Sequence, residues 1–203
     1  AAGARSVHYL PNAGEADLVK AKALTAAEEA RFGAEICFMG APYPNRVELF
    51  STLRDYPIGL WGRGWSEYAQ EVDGLVRIGD RLISSSEEAQ IYRAGKILIN
   101  VHSSTGTESS DPKDFLNPRT FTAALCGIFQ LIDERSLLGR AFDLGREVVT
   151  FSDLSELKKK LDYFLANPNE RDACALRARE RALREHTYEV RLTEALAAMR
   201  FVA

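Results

Sequence analysis

The sequence lacks the patterns that mark disulfide-stabilised, zinc-binding or membrane-spanning proteins. Its three cysteines, Cys37, Cys126 and Cys174, are far apart and form no C-x-x-C pair, so we expect neither a disulfide framework nor a zinc site. No apolar run approaches the roughly 18 residues that a membrane-spanning helix needs. No signal core precedes residue 10, and these features together predict a cytoplasmic protein. The chain also begins without Met, as an excised fragment of a longer protein would.

The sequence also lacks an excess of positive charge. Its formal net charge is -3 and its pI is about 5.7, so no general basic field would attract nucleic acid. An anionic ligand would therefore need a local arrangement of arginine side chains and backbone N–H groups.

Most of the common catalytic signatures are absent as well. There is no G-x-x-x-x-G-K-[ST] loop, no G-x-S-x-G elbow and no H-E-x-x-H pair. Gly62 and Gly64 flank an arginine but are followed by Glu67 rather than a third glycine, so the dinucleotide fingerprint fails. We expect no metal ion and no resident cofactor.

Short apolar runs alternate with helical stretches along the chain. The runs predict strands over residues 36–39, 58–61, 75–78, 97–101, 128–132 and 148–151. Helices are predicted over 47–54, 84–93 and 118–127 and from 152 onward, with caps at Ser84, Asn117 and either Ser152 or Ser155. This order predicts an α/β fold, a parallel sheet with helices on both faces and a helical C-terminal extension.

Two arginines follow predicted strands. Arg46 lies in the first turn of the helix after Gly40, where free N–H groups and a guanidinium group suit a phosphate. The alternative is a surface arginine that bridges to Glu48 or Asp55. Arg63 lies between two glycines, which either let the backbone approach a ligand closely or simply form a turn.

Further polar residues follow the strand at 97–101. His102 could donate a hydrogen bond to a sugar or phosphate oxygen, or it could be satisfied by the backbone of its own loop. Asp114, Asn117 and Arg119 cluster at the start of the next helix. For these the alternative is that Asn117 only caps the helix and Asp114 is an ordinary loop acid.

Residues 115–127 (FLNPRTFTAALCG) resemble the N-x-R-x-F-E-A-x-x-x-G helix of the CgeB-like, spore-maturation-type glycosyltransferases of the GT-B class. Flanking stretches resemble the same family at 9–11, 36–53, 60–65, 96–102 and 186–191 (HTYEVR). The resemblance covers nearly the whole chain, in the family's order and spacing.

This resemblance implies a Rossmann-like domain, the C-terminal half of a GT-B fold. It implies an interdomain segment and leading helix at 1–34, a nucleotide-sugar-binding domain at 35–185 and a C-terminal crossing helix at 186–203. The acceptor and the catalytic groups would belong to an N-terminal domain that is not in this chain, so the catalytic residues remain unknown. We expect the fragment alone to bind a nucleoside-diphosphate sugar and to be inactive in transfer.

Carried over by position, the family places donor phosphates near Gly40 and Arg46. With the polar residues described above, the predicted donor-binding set is Gly40, Arg46, Gly62, Arg63, Gly64, His102, Asp114, Asn117, Arg119 and Thr122. Arginines and helix N-termini would take the place of a metal ion as charge stabilisers.

One departure from the family matters. Related retaining enzymes carry two glutamates with seven residues between them, and Asp114 and Thr122 stand at the corresponding positions. Losing a charged hydrogen bond to the ribose costs roughly 1.5–3 kcal/mol. Thr122 therefore keeps a second hypothesis open, a non-catalytic Rossmann-like interaction module. A nucleotide-sugar epimerase is a third hypothesis, and an apolar face at 190–196 predicts weak self-association.

Overall fold

The computed structural model describes residues 7–17, 23–75, 77–103 and 115–200. The strands in these residues are β1 (Ile36–Met39), β2 (Ile58–Trp61), β3 (Arg77–Gly79), β4 (Ile97–Asn100), β5 (Phe129–Asp133) and β6 (Val149–Phe151). The helices are α1 (Ala26–Phe32), α2 (Pro44–Ser51), α3 (Ser85–Ala94), α4 (Pro118–Cys126), α5 (Leu138–Ala141), α6 (Leu154–Ala166), α7 (Pro168–Glu185) and α8 (Tyr188–Arg200). A short 3-10 helix, Trp65–Tyr68, follows β2.

The six strands form one parallel sheet in the order β3-β2-β1-β4-β5-β6. Ile36 of β1 is in register with Ile58 of β2 on one side and Ile97 of β4 on the other. This arrangement confirms the predicted Rossmann-like sheet. The strand order reverses between β1 and β4, and ligands of such sheets bind in the crevice beyond the carboxyl ends of the strands at that point.

Helices cover both faces of the sheet. On one face, Phe38 of β1 packs on Phe50 of α2 with ring centroids 4.8 Å apart. On the other, Cys37 and Leu98 belong to a buried cluster with Ile91 of α3. Because both faces of each central strand are covered, these strands read as continuous apolar runs rather than alternating ones.

Several predicted helix boundaries are confirmed by their capping contacts. The Ser84 hydroxyl accepts from the backbone N–H of Glu87, and the Glu87 carboxylate accepts in return from the backbone N–H of Ser84. The Asn117 side chain accepts from the N–H of Thr120 at 3.0 Å, with proline in the next position. Gly127 ends α4 in the left-handed conformation, at φ +79°.

The predicted caps at Ser152 and Ser155 are wrong. Asp153 caps α6, and its carboxylate accepts from the N–H of Glu156 at 2.8 Å. Ser152 instead donates its hydroxyl to the Glu156 carboxylate at 2.7 Å. The charged oxygen of an aspartate is a strong partner for the free N–H groups and partial positive charge of a helix start.

Three other elements differ from prediction. Helix α2 begins at Pro44, three residues early, because proline lacks the N–H that the first turn leaves unpaired and already has a helical φ. Strand β3 begins at Arg77 rather than 75. The short helix α5 was not predicted, since one turn carries too little periodicity to recognise.

The segment before α1 meets the start of α8. Gly14 donates its N–H to the carbonyl of His186 at 2.9 Å and accepts from the N–H of Tyr188 at 3.0 Å. Thr187 caps α8, since its hydroxyl accepts from the N–H of Val190. The division at 1–34, 35–185 and 186–203 stays a prediction. None of the described helices has the length and apolar character needed to cross a membrane.

Substitutions at two glycines test the backbone conformations that the structure assigns to them. An alanine at position 127 would have to adopt the left-handed backbone conformation that Gly127 has. We therefore expect Gly127→Ala to lower the free energy of unfolding by about 1–2 kcal/mol. At Gly139 the nearest atom to a new Cβ is 3.7 Å away and φ is not positive, so Gly139→Ala should be neutral or stabilising by up to about 1 kcal/mol. Urea unfolding measures both, and equal effects would contradict this assignment.

Candidate functional site

Two arginine side chains converge where β1 ends. A Cβ built on Gly40 would lie 2.8 Å from Nη2 of Arg119 and 3.0 Å from Nη1 of Arg46. The backbone N–H of Gly40 donates to the carbonyl of Trp61, which fixes this turn against β2. The structure thus brings together three residues of the predicted donor site, at the sheet's switch point.

Arg46 is a buried residue with only 5% of its surface exposed. Its Nε and Nη2 donate to the carbonyl of Val101 at 3.2 and 2.9 Å, and its Nη1 donates to the carbonyl of Ala41 at 3.0 Å. The guanidinium carbon lies about 5 Å from the ring centroids of Phe38 and Tyr43. The alternative of a surface arginine bridging to an acid is therefore not what the structure has.

Arg119 lies beside Arg46. Its Nη1 donates to the side-chain oxygen of Asn100 at 3.1 Å, and its guanidinium carbon lies 5.0 Å from the centroid of the Phe38 ring. Burial, followed by repulsion from Arg119, lowers the pKa of Arg46 to about 9, and burial also lowers the pKa of Arg119. Within the described residues neither guanidinium makes an ion pair with a carboxylate. Asp133 attracts both cations and Glu88 attracts Arg119, but neither carboxylate forms an ion pair with them, so the pair is suited to bind an anion directly.

A buried polar network holds Arg119 in place. Asn100, at the end of β4, accepts from Arg119 and from the side chain of Asn117, and donates to Thr120 and Gln130 at 3.0 and 3.1 Å. Gln130 in turn donates to the carbonyl of Thr120. Sequence reasoning missed Asn100, Thr120 and Gln130. The available signal was an amide side chain in each of two otherwise apolar central strands.

The start of α4 is largely satisfied within the protein. Asn117 donates its backbone N–H to Nε2 of His102 at 3.1 Å, the N–H of Thr120 is capped, and Pro118 has none. The backbone N–H groups expected to bind phosphate here are thus mostly engaged. The positive charge of this site comes chiefly from the side chains of Arg46 and Arg119.

His102 is fully buried, and both ring nitrogens are engaged. Its Nδ1 lies 2.7 Å from the Asp133 carboxylate, and its Nε2 accepts from Asn117. Burial lowers the pKa of His102, and the nearby Asp133 opposes that shift only in part. In this arrangement no ring nitrogen is left to donate to a ligand. These contacts are closer to the alternative in which the histidine is satisfied within the protein. Its partners, however, are the Asp133 carboxylate and the backbone N–H of Asn117 rather than the backbone of its own loop.

Asp133 was also missed from the sequence. Burial would raise the pKa of this carboxyl, but hydrogen bonds from His102 and Arg135 outweigh it and hold the pKa below its ordinary value. Arg135 forms an ion pair with Asp133, and its guanidinium carbon lies 5.6 Å from the centroid of the Phe115 ring. A carboxylate at the end of β5 was the available signal, because strand ends share one edge of the sheet.

The turn after β2 packs directly on the turn after β1. A Cβ on Gly62 would lie 2.5 Å from the carbonyl oxygen of Gly40, and Gly62 has a φ of +135°, so only glycine fits. Gly64 also has a positive φ, and its N–H donates to the Asp80 carboxylate at 2.6 Å. Arg63 is exposed on this turn and does not join the pair formed by Arg46 and Arg119.

The remaining predicted positions divide in two. Thr122 lies one turn along α4 from Arg119, and its hydroxyl donates to the carbonyl of Pro118 at 3.3 Å. Asp114 lies outside the described residues. Among the residues that the structure does describe, no group of three or more histidine, cysteine or acidic side chains could hold a metal ion.

Comparison with known proteins assigns the chain to a family. A family model described as glycosyl transferase-like matches residues 46–197 of the chain. Among curated proteins, the chain is similar to the spore protein CgeB of Bacillus subtilis (strain 168), with 24% identity over 184 residues. The match covers 85% of this chain and 55% of that protein.

Solved structures show the same fold. Sucrose-phosphate synthase of Thermosynechococcus elongatus superimposes with a TM-score of 0.66 at 15% identity, covering 95% of this chain and 52% of that one. Anabaena HepE in complex with UDP-glucose superimposes with a TM-score of 0.69 at 14% identity, covering 94% and 56%. The chain therefore spans about half the length of the proteins that it matches.

The arginine pair predicts binding of a simple anion. At constant ionic strength, inorganic phosphate at ten times its dissociation constant should stabilise the chain by about 1.4 kcal/mol relative to chloride. Arg119→Gln should lose this increment, whereas Arg140→Gln, an exposed arginine on α5, should keep it. Thermal unfolding in matched buffers measures the difference, and an equal phosphate response in all three proteins would contradict the assignment.

Proposed function

Because this chain belongs to the glycosyl transferase-like family, we propose that it is the nucleotide-sugar-binding half of a two-domain glycosyltransferase. The observation that carries this proposal is the pair of guanidinium groups beside Gly40, from Arg46, which is buried, and Arg119, which is partly buried. A diphosphate would supply negative charge to this pair. Arg46 would act chiefly through its charge, because its Nε, Nη1 and Nη2 already donate to backbone carbonyls.

The proposed donor is a nucleoside-diphosphate sugar. The HepE structures contain UDP and UDP-glucose, which supports a donor of this class for the present chain. The diphosphate would lie against Gly40, Arg46 and Arg119. The nucleoside would extend toward the glycine turn at 62–64, which packs on the Gly40 turn.

In the proposed reaction the bond between the sugar and the diphosphate breaks, and negative charge accumulates on the departing oxygen. Arg46 and Arg119 would stabilise that charge without a metal ion, because their guanidinium groups are already held in position by backbone carbonyls and Asn100. Preorganised donors of this kind are each worth about 10²–10³ in rate.

The acceptor is proposed to bind to a second domain. The chain spans 55% of the length of CgeB and a similar share of the solved structures, which supports a partner half. Leu192, Leu196 and Met199 of α8 are more than half exposed and would pack on it. Without that half, we expect weak self-association through the same face.

We propose that the protein is cytoplasmic, because its three free thiols suit a reducing compartment.

A second candidate function is a non-catalytic interaction module of the same fold. Thr122 favours it, because a threonine hydroxyl bonded to its own helix is a poorer partner for ribose hydroxyls than a carboxylate is. The two candidates differ in whether the chain binds nucleotide.

A nucleotide panel tests the proposed function. Thermal unfolding would be measured with UDP, GDP, ADP, dTDP and CMP and with their sugar conjugates. The correct nucleotide at a hundred times its dissociation constant adds about 2.7 kcal/mol of stability. For a chain of this size, the midpoint should then rise by about 5–10 °C. No shift with any nucleotide would favour the interaction module, and efficient sugar transfer by this chain alone would contradict the need for a second domain.

A gain of function tests the position of the ribose. Thr122→Glu places a carboxylate one turn from Arg119, where it can accept from two hydroxyls, and should tighten binding of the preferred nucleotide about tenfold. Thr122→Gln is the matched uncharged control and should change affinity by less than about threefold. Isothermal titration measures both, and an equal response would show that the charge does not act on the ribose.

A further inference from the structure

His102 links four parts of the site. Its ring lies between the Asp133 carboxylate at the end of β5 and the backbone N–H of Asn117 at the start of α4. Its own backbone N–H donates to Asp133, and its carbonyl accepts from the side chain of Asn45 on α2. Its side chain is fully buried, edge-on to Phe115 with ring centroids 5.1 Å apart.

These contacts determine which tautomer the ring has. A backbone N–H can only donate, so the Nε2 that faces Asn117 must be unprotonated and accept. The single ring proton therefore lies on Nδ1 and is donated to the Asp133 carboxylate. An imidazolium would carry a second N–H on Nε2, which would point at the N–H of Asn117.

We infer that His102 is a positioning residue of the donor site, which holds Arg119 in place only as the neutral Nδ1–H tautomer that Asp133 selects. The inference rests on the proposed function. It assigns His102 no contact with the sugar or the phosphate.

The path from His102 to Arg119 runs through Asn117 and Asn100. Asn117 is fixed at its backbone by His102, and its side chain donates to the same Asn100 oxygen that accepts from Arg119. Loss of the bond to His102 removes a backbone restraint on Asn117, the residue that caps α4. The shared oxygen then loses a partner that keeps it facing Arg119.

Protonation of the ring would break this path. The charged groups around it are Asp133 and Arg135 at the end of β5 and Arg119 on α4, while Asn45 and Arg46 of α2 reach the neighbouring backbone. Because burial holds the folded-state pKa of His102 below the ordinary value of 6.5, the neutral form of the ring predominates above pH 6.5. Its contribution is lost as the pH falls through that lower pKa.

Two neutral variants separate the two ring nitrogens. In His102→Gln the side-chain oxygen can take the place of Nε2 and accept from Asn117. In His102→Asn the shorter amide can reach Asp133 but not Asn117. We expect His102→Asn to bind UDP about tenfold more weakly than the original chain at pH 7.5, and His102→Gln to restore most of that loss. Equal affinities of the two variants would overturn the inference.

The pH dependence of UDP binding distinguishes a positioning role that needs the neutral ring from a purely structural role, which would not change with protonation of His102. UDP titrates near pH 6 itself, so the quantity measured by calorimetry is the affinity of the original chain divided by that of His102→Gln, over the pH range in which nitrogen NMR shows the His102 ring to titrate. This ratio should fall as the pH decreases through that range, and a ratio that stays flat there would overturn the inference. His186→Gln is the control, because this buried histidine accepts at Nδ1 from Arg191 and donates from Nε2 to Ala141.

Nitrogen NMR of the histidine rings keeps the inference separate from the proposed function. It should report an Nδ1–H tautomer for His102 without any ligand, and the Asn117 amide should shift as the ring is protonated. An Nε2–H tautomer in a chain that binds UDP would overturn the role of His102 alone. A chain with the Nδ1–H tautomer that binds none of the nucleotides would contradict the proposed function, and with it the positioning role that rests on it.

Discussion

Two guanidinium groups lie side by side at the switch point of this sheet, and no carboxylate among the described residues pairs with either. Arg46 is buried and Arg119 is partly buried, and their like charges repel each other, so nearby backbone and side-chain dipoles must stabilise them. The carbonyl of Val101 accepts from Arg46, and the side-chain oxygen of Asn100 accepts from Arg119. The partial charges of these oxygens hold the arginines without neutralising them, which leaves the pair able to bind an anion.

This constraint explains the polar residues inside the sheet. A central strand covered on both faces ordinarily carries only apolar side chains. Asn100 and Gln130 break that rule in neighbouring strands, and they bond to each other and to Thr120 on α4. Hydrogen bonds are directional, so this network fixes the position of the start of α4 relative to the ends of the strands. An apolar core of similar shape would pack as tightly but would not orient Arg119.

The same geometry bears on how the proposed donor and acceptor functions are divided between two domains. The two charges proposed to bind the diphosphate, those of Arg46 on α2 and Arg119 on α4, both come from this chain, and groups at the ends of β1 and β4 hold them in place. Three apolar side chains that are more than half exposed, Leu192, Leu196 and Met199, lie elsewhere, on α8, whose start is hydrogen-bonded to the leading segment at Gly14. A donor half that carries its own charge stabilisers and an apolar face toward a second domain is consistent with the proposed enzyme. Domain closure would then supply the acceptor rather than complete the phosphate site.

The sequence by itself determined the parallel sheet, the main helices and the caps at Asn117 and Gly127, because periodicity and capping are local properties. It also placed Arg46 and Arg119 near helix starts. The tertiary structure alone decided that these arginines converge and that His102 turns inward to Asp133. Arg46 is held there by the carbonyl of Val101, 55 positions away, and His102 bonds to Asp133, 31 positions away. Both contacts depend on strand order, which no local pattern encodes.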